Sequence, residues 1–233
     1  MPATRRPRRA PAGRSRRALD PSRRLGVLIS GRGSNLLAIL DRIRSRALRA
    51  EVAVVLCNEP GAAGIAAARR RGIEVVVIDH RASPTREEHD AAMAEALERR
   101  GVALVCLAGY MRLLSPWFIR RFAGRILNIH PSLLPAFPGT GAQAAALRHG
   151  VRVSGCTVHY VNEELDAGPI LLQVPVEVRD GDTAESLAAR ILKEEHRLYS
   201  RAIALHLDGR LRIEGRRVSV TGRAASARGR RRG

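Results

Sequence analysis

The sequence predicts an α/β fold, a Rossmann-like, mostly parallel twisted sheet with helices on both faces. Three observations predict it. Short, nearly all-apolar runs recur from residue 25 onward, as strands covered on both faces do. Stretches with helical apolar spacing alternate with them. Finally, the polar pair Asn128 and His130 lies at the carboxyl end of an apolar run, the edge where open parallel sheets bind ligands.

The first run, Leu25 to Ser30, ends in Gly31-Arg32-Gly33-Ser34-Asn35, after which Leu36, Leu37, Ile39, Leu40 and Ile43 recur with helical spacing. This is strand, glycine turn, helix. The third glycine of a dinucleotide fingerprint would fall at position 36, which is leucine, so a dinucleotide site is disfavoured. What remains is a turn whose amides, with the side chains of Ser34 and Asn35, sit at a helix amino terminus and suit one phosphate. An ordinary turn capped by Ser34 is the plainer alternative. Strand-like runs follow at Val52 to Leu56, Val75 to Ile78 and Val102 to Leu107, with helices through Ala62 to Arg71 and near Arg86 to Arg100. Ala108-Gly109-Tyr110-Met111-Arg112-Leu113-Leu114-Ser115-Pro116 then lies at the ligand edge. Its apolar side chains beside exposed backbone suit either a flat heterocycle or plain packing.

The fifth run carries Asn128-Ile129-His130-Pro131-Ser132-Leu133-Leu134-Pro135. Side chains alternate along a strand, so Asn128 and His130 share a face while Ile129 enters the core. Pro131 lacks an amide hydrogen and places the pair at the strand's carboxyl end. A lone internal histidine is usually a satisfied core group; a carboxamide on the same face points to a site. Beyond it, Val153 to Val161 and Ile170 to Val178 are extended runs joined by Asn162-Glu163-Glu164-Leu165-Asp166-Ala167-Gly168-Pro169, with Asp166 a candidate third polar member. The last helix opens at Asp182, with Glu185 three residues on as an acidic relative of the capping box. Its apolar arc (Leu187, Ile191, Leu198, Tyr199, Ala202, Leu205) contains Glu195. A carboxylate there needs a partner, an internal arginine or a bound sugar hydroxyl.

At 233 residues and 45% hydrophobic content the chain fits one domain with appendages. No apolar run approaches a membrane span and no secretory signal is apparent, so a soluble cytoplasmic protein is expected. Cys57, Cys106 and Cys156 are dispersed and odd in number, which argues for reduced thiols. The histidines form no ligand pattern, and no metal is expected. Of the net charge of +19, +16 lies in residues 1–24 and 209–233, each with nine arginines and one acid. The expected organisation is therefore a disordered basic tail over 1–24, a catalytic domain over 25–213 and a disordered basic tail over 214–233. Solvated disorder is preferred for the tails over a nucleic-acid contact.

These motifs, in this order, resemble the phosphoribosylglycinamide formyltransferases, the folate-dependent enzymes of purine synthesis. The resemblance rests on Ser30 to Leu36, Ala108 to Pro116, Asn128 to Pro135, and Gly155-Cys156-Thr157-Val158-His159-Tyr160 running into Glu164 to Pro169. It spans about residues 25–213 and implies the formyltransferase fold. It implies that Gly33, Ser34 and Asn35 hold the phosphate of glycinamide ribonucleotide, with Glu195 on its ribose. Arg86, Met111, Arg112, Leu113, Leu114, Asn128, Asn162, Glu163, Glu164, Leu165 and Asp166 would line the pocket for the co-substrate 10-formyltetrahydrofolate. Asn128, His130 and Asp166 would be the catalytic trio, in a monomer or homodimer. Locally, residues 136–143 lack the basic and histidine residues some relatives carry, and Ser200 stands where a proline is common.

Transfer of a formyl group to a primary amine passes through a tetrahedral carbon with a developing oxyanion. Asn128 and a protonated His130 would donate to that oxygen, His130 would protonate the departing folate nitrogen, and Asp166 would favour the imidazolium and relay the amine proton. The nearest rival is a formyltetrahydrofolate deformylase, which normally carries a regulatory domain and His-His-Ser-Phe-Leu-Pro where this chain has residues 130–135. A methionyl-tRNA formyltransferase needs a further RNA-binding domain, for which the two dozen or so final residues are too few. A non-enzymatic nucleic-acid-binding protein leaves Asn128, His130 and Glu195 without purpose.

Overall fold

A computed structural model describes residues 20–222. Five apolar runs form parallel strands, β1 (Arg24–Ile29), β2 (Glu51–Cys57), β3 (Val75–Val77), β4 (Leu104–Leu107) and β5 (Ile126–His130). Helices α1 (Ser34–Arg44), α2 (Ala63–Arg69), α3 (Arg86–Glu98) and α4 (Pro116–Arg121) connect them. The chain continues through α5 (Ala142–Arg148), β6 (Val153–Tyr160), β7 (Ile170–Glu177) and α6 (Ala184–Leu207), and ends in a hairpin of β8 (Leu211–Glu214) and β9 (Arg217–Val220). The nine strands make one sheet in the order β3-β2-β1-β4-β5-β6-β7-β9-β8. Strand order reverses direction between β1 and β4, where doubly wound sheets open a crevice for ligands.

Alternation along each strand divides the core. Leu25, Val27 and Ile29 of β1 join the cluster that α1, α2, α5 and α6 cover, while Leu28 joins the opposite cluster beneath α3 and α4. Gly26 is required by that second layer, since a Cβ there would lie 2.3 Å from Leu97 Cδ2. Helix α6 is anchored at its centre by Tyr199, whose buried hydroxyl lies 3.0 Å from the Leu107 carbonyl and 2.9 Å from that of Leu127. All three cysteines are buried free thiols. Among the described residues no helix is long and apolar enough to cross a membrane.

Two expectations change, the capping box of α6 and the extent of the tails. The capping box of α6 is Thr183 with Ser186, not Asp182 with Glu185. Asp182 is taken instead by Arg190 and the Arg179 amide. Helices α4 and α5, of 6 and 7 residues, add to the helices expected, and the antiparallel direction of β6 and β7 leaves no local mark. Parts of both expected tails are ordered. Asp20 caps a turn at Pro21–Arg23, and Arg23 bonds the Leu207 carbonyl and pairs with Asp208 at the carboxyl end of α6. Residues 214–220 belong to the terminal hairpin, turned at Gly215 with φ 58°. There the alternation Leu211, Ile213 and Val218, Val220 was hidden among arginines, yet Leu211 and Val218 pack on the core. The rest of the tails, 1–19 and 223–233, lies outside the described residues.

Candidate active site

The polar pair at the end of β5 is met by a second pair on β6. In the antiparallel register Asn128 faces His159 and His130 faces Thr157, so all four side chains share one face, opposite the Leu127 and Val158 core. Thr157 holds the turn that follows: its hydroxyl accepts from the Leu134 amide at 3.0 Å and donates to the Ser132 carbonyl at 2.7 Å.

Asp166 enters from the loop between β6 and β7 and becomes the hub. Its backbone is left-handed, φ 50°, and two residues on Gly168 passes so near β6 that a Cβ would lie 1.8 Å from the Tyr160 carbonyl oxygen. One carboxylate oxygen accepts from the Gly139 amide at 2.8 Å and lies 3.3 Å from His130 Nδ1. The other accepts from Asn128 Nδ2 at 3.4 Å and lies 3.6 Å from His159 Nε2. Burial pushes the Asp166 carboxyl up, but the His159 contact, the Gly139 amide and the charges of both imidazoles outweigh it, and the net shift is downward. A carboxylate is thus held ionised between two imidazoles and an amide. His130 turns its other nitrogen, Nε2, to the Phe137 carbonyl at 2.8 Å, so both ring nitrogens face oxygens.

Asn128 and His130, which strand alternation put on one face, therefore meet Asp166 in one cluster. His159, which the sequence reading passed over as a site member, meets them too: its Nε2 lies 3.1 Å from Asn128 Nδ2, and its Nδ1 lies 2.9 Å from the Tyr160 carbonyl. The signal was a polar residue inside an apolar run. It lacked the strand pairing that gives such a residue an address.

The glycine turn adopts the predicted form with one change. Gly33, at φ 70°, is the residue preceding the helix and makes no side-chain cap, so Ser34 is the first helical residue. The left-handed backbone favours glycine here, and the space is tight as well, since a Cβ would lie 3.2 Å from Gly64 Cα. The first amides of α1 thus have neither an intrahelical partner nor a side-chain cap. Asn35 Nδ2 donates to Glu195 Oε2 at 2.7 Å, so the partner of the buried acid is an amide and not an arginine. Burial raises the Glu195 carboxyl above its ordinary range, and the Asn35 bond offsets part of the rise. Asn35 Oδ1 is buried with no partner among the described residues.

Residues named for the second pocket divide. Met111 and Leu113 are exposed on the loop after β4 while Leu114 is buried, and Leu165 is exposed beside Asp166. Arg112 Nε and Asn162 Oδ1 are buried polar atoms without partners among the described residues. Arg86 starts α3 on the surface, Glu163 pairs with Arg120 at 2.7 Å, and Glu164 is exposed, so none of these three joins the polar cluster. Arg216, expected within a tail, lines a cavity of about 180 Å³ together with Leu165 and Asp166.

The formyl transferase family matches residues 23–203. The phosphoribosylglycinamide formyltransferase of Escherichia coli is 40% identical over 206 residues, 85% of this chain and 97% of that protein. The trifunctional purine biosynthetic protein adenosine-3 of Drosophila pseudoobscura pseudoobscura is 46% identical over 87% of this chain, which spans only 15% of that relative's length. The crystal structure of glycinamide ribonucleotide transformylase 1 from Symbiobacterium toebii superimposes with a TM-score of 0.84 at 55% identity, covering 85% of this chain and 94% of that one. A formyltetrahydrofolate deformylase from Pseudomonas syringae reaches a TM-score of 0.80 at 29% identity, covering 86% of this chain and 66% of that one.

Proposed function

This chain belongs to the formyl transferase family, and from that premise we propose that it transfers the formyl group of 10-formyltetrahydrofolate to the amine of 5'-phosphoribosylglycinamide in purine biosynthesis. The observation that carries the reading is the Asp166 carboxylate set between Asn128 and His130 at the carboxyl edge of the sheet, the same edge from which β1, two strands away, leads into α1.

In this reading the acceptor's phosphate sits on the amides of Gly33, Ser34 and Asn35. Glu195 and the unpartnered Asn35 Oδ1 take ribose hydroxyls. The folate enters along Met111 to Leu114 and the 162–166 loop, where Arg112 Nε and Asn162 Oδ1 offer a donor and an acceptor. The amine nitrogen attacks the formyl carbon, and the carbonyl electron pair moves to oxygen. Asn128 Nδ2 donates to that oxyanion, exchanging for it the long 3.4 Å bond to Asp166, and the imidazolium of His130 donates as well. The amine's proton leaves through water towards Asp166. His130 gives its proton to the folate nitrogen as the carbon–nitrogen bond breaks, releasing tetrahydrofolate and the formylated amide. Because His130 Nε2 donates to Phe137, delivery from that atom exchanges this bond for one to the substrate. The cofactor requirement is the folate co-substrate, and the setting is the cytoplasm.

Mixing the protein with 10-formyltetrahydrofolate and the ribonucleotide should change the folate absorbance with one formylated product per tetrahydrofolate. Formate released without acceptor, and no product with it, would assign the deformylase reaction instead.

A further inference from the structure

The two proposed pockets hang on different strands, and a reaction between their contents needs the reacting atoms about 3–3.5 Å apart. Ser30, immediately past β1, is where the two loops touch. Its amide donates to the Gly109 carbonyl at 3.0 Å, and its hydroxyl accepts from the Met111 amide at 2.8 Å. The same hydroxyl donates to Asn58 Oδ1 at 2.6 Å, and Asn58 is buried just past β2. Three adjacent strand ends, in the sheet order β2-β1-β4, are thus tied by one side chain at the point where strand order reverses. Ser30 opens the turn that leads to Gly33, and Met111 opens the apolar stretch of the other loop.

We propose that Ser30 is a positioning residue for the transfer: its hydroxyl sets the gap between the phosphate-binding turn and the folate-binding loop. This rests on the pocket assignment above. The far end of the folate loop has its own anchor, the buried Asp90 carboxylate that accepts from the Ser115 amide. Losing the Ser30 hydroxyl therefore leaves each pocket formed and changes only how the two are registered. Asn58 keeps a second neighbour, His80 Nδ1 at 3.3 Å from its Nδ2, so the cluster does not collapse with the hydroxyl.

The test compares Ser30→Ala and Ser30→Thr with the wild-type chain, with activity normalised to active sites titrated by a tight folate analogue. Ser30→Ala should lower kcat about tenfold while the KM for each substrate stays within about threefold, because one shared contact is lost and both binding surfaces remain. Ser30→Thr retains the hydroxyl and should recover most of kcat. A kcat per active site within twofold of wild type in Ser30→Ala would overturn the proposal, as would a loss carried wholly by the folate KM or a threonine variant no better than alanine. Wild-type protein that transfers no formyl group would instead sink the pocket assignment itself, so the two failures are separable.

Discussion

Replacing Asp166 by Asn is the sharpest perturbation of the site, because it removes the charge at nearly constant shape, giving up besides it only the 3.4 Å bond accepted from Asn128 Nδ2. The amide oxygen can still accept from Gly139, which holds the loop at 2.8 Å. What disappears is the attraction between the carboxylate and an imidazolium at His130, 3.3 Å away. Between full charges that separation is worth about 5 kcal/mol at an effective dielectric of about 20. The Asp166 side chain is only 9% exposed, so solvent screens little of it. The amide dipole of Asn restores part, leaving a net loss of about 3–5 kcal/mol to the transition state, or about a hundred- to several-thousandfold in kcat. The assay is formyl transfer at saturating concentrations of both substrates, with folate-analogue binding and thermal melting measured on the same preparation. A kcat within threefold of wild type, in a variant that binds the analogue normally, would refute the electrostatic role. The sign of the pH dependence follows from the lowered Asp166 carboxyl. Its ionised form, and the stability it contributes, is fully present above the ordinary carboxylate range and is lost only as pH falls through the lowered value.

His130→Ala should reduce turnover by about a hundred- to ten-thousandfold with substrate binding largely kept; near-normal turnover removes His130 from the chemistry. Glu195→Gln should raise the acceptor's KM while leaving the fold as stable or more so. Because burial raises this carboxyl, ionising it in the folded state costs stability as pH rises through and beyond its ordinary range, and glutamine abolishes that cost. Melting curves of the two proteins should therefore diverge from acid towards neutral pH, and parallel curves would contradict the assignment. Gly168→Ala places a Cβ 1.8 Å from a backbone oxygen and should destabilise by about 3 kcal/mol or more, dislodging Asp166 as well. An unchanged melting temperature would mean the loop is not held as described.

What the sequence by itself determined is local. The strand and helix periods, the polar pair closing β5, the glycine turn before α1 and the misplaced acid on the buried arc of α6 each follow from preferences acting over a few residues. Side-chain direction repeats every two residues in a strand and about every 3.6 in a helix. What only the tertiary structure decided is partnership. His159 became part of the site when β6 paired antiparallel with β5 in the register that sets it against Asn128, a choice made by burying Val158 and Leu127 together. Glu195 found Asn35 because α6 packs on α1, at a sequence separation of 160. The final hairpin escaped notice because its few apolar residues mean nothing until the edge of β7 and the core accept them. Local preference cannot carry such information, since which distant groups meet depends on strand order and register, and these are set by how the whole core closes.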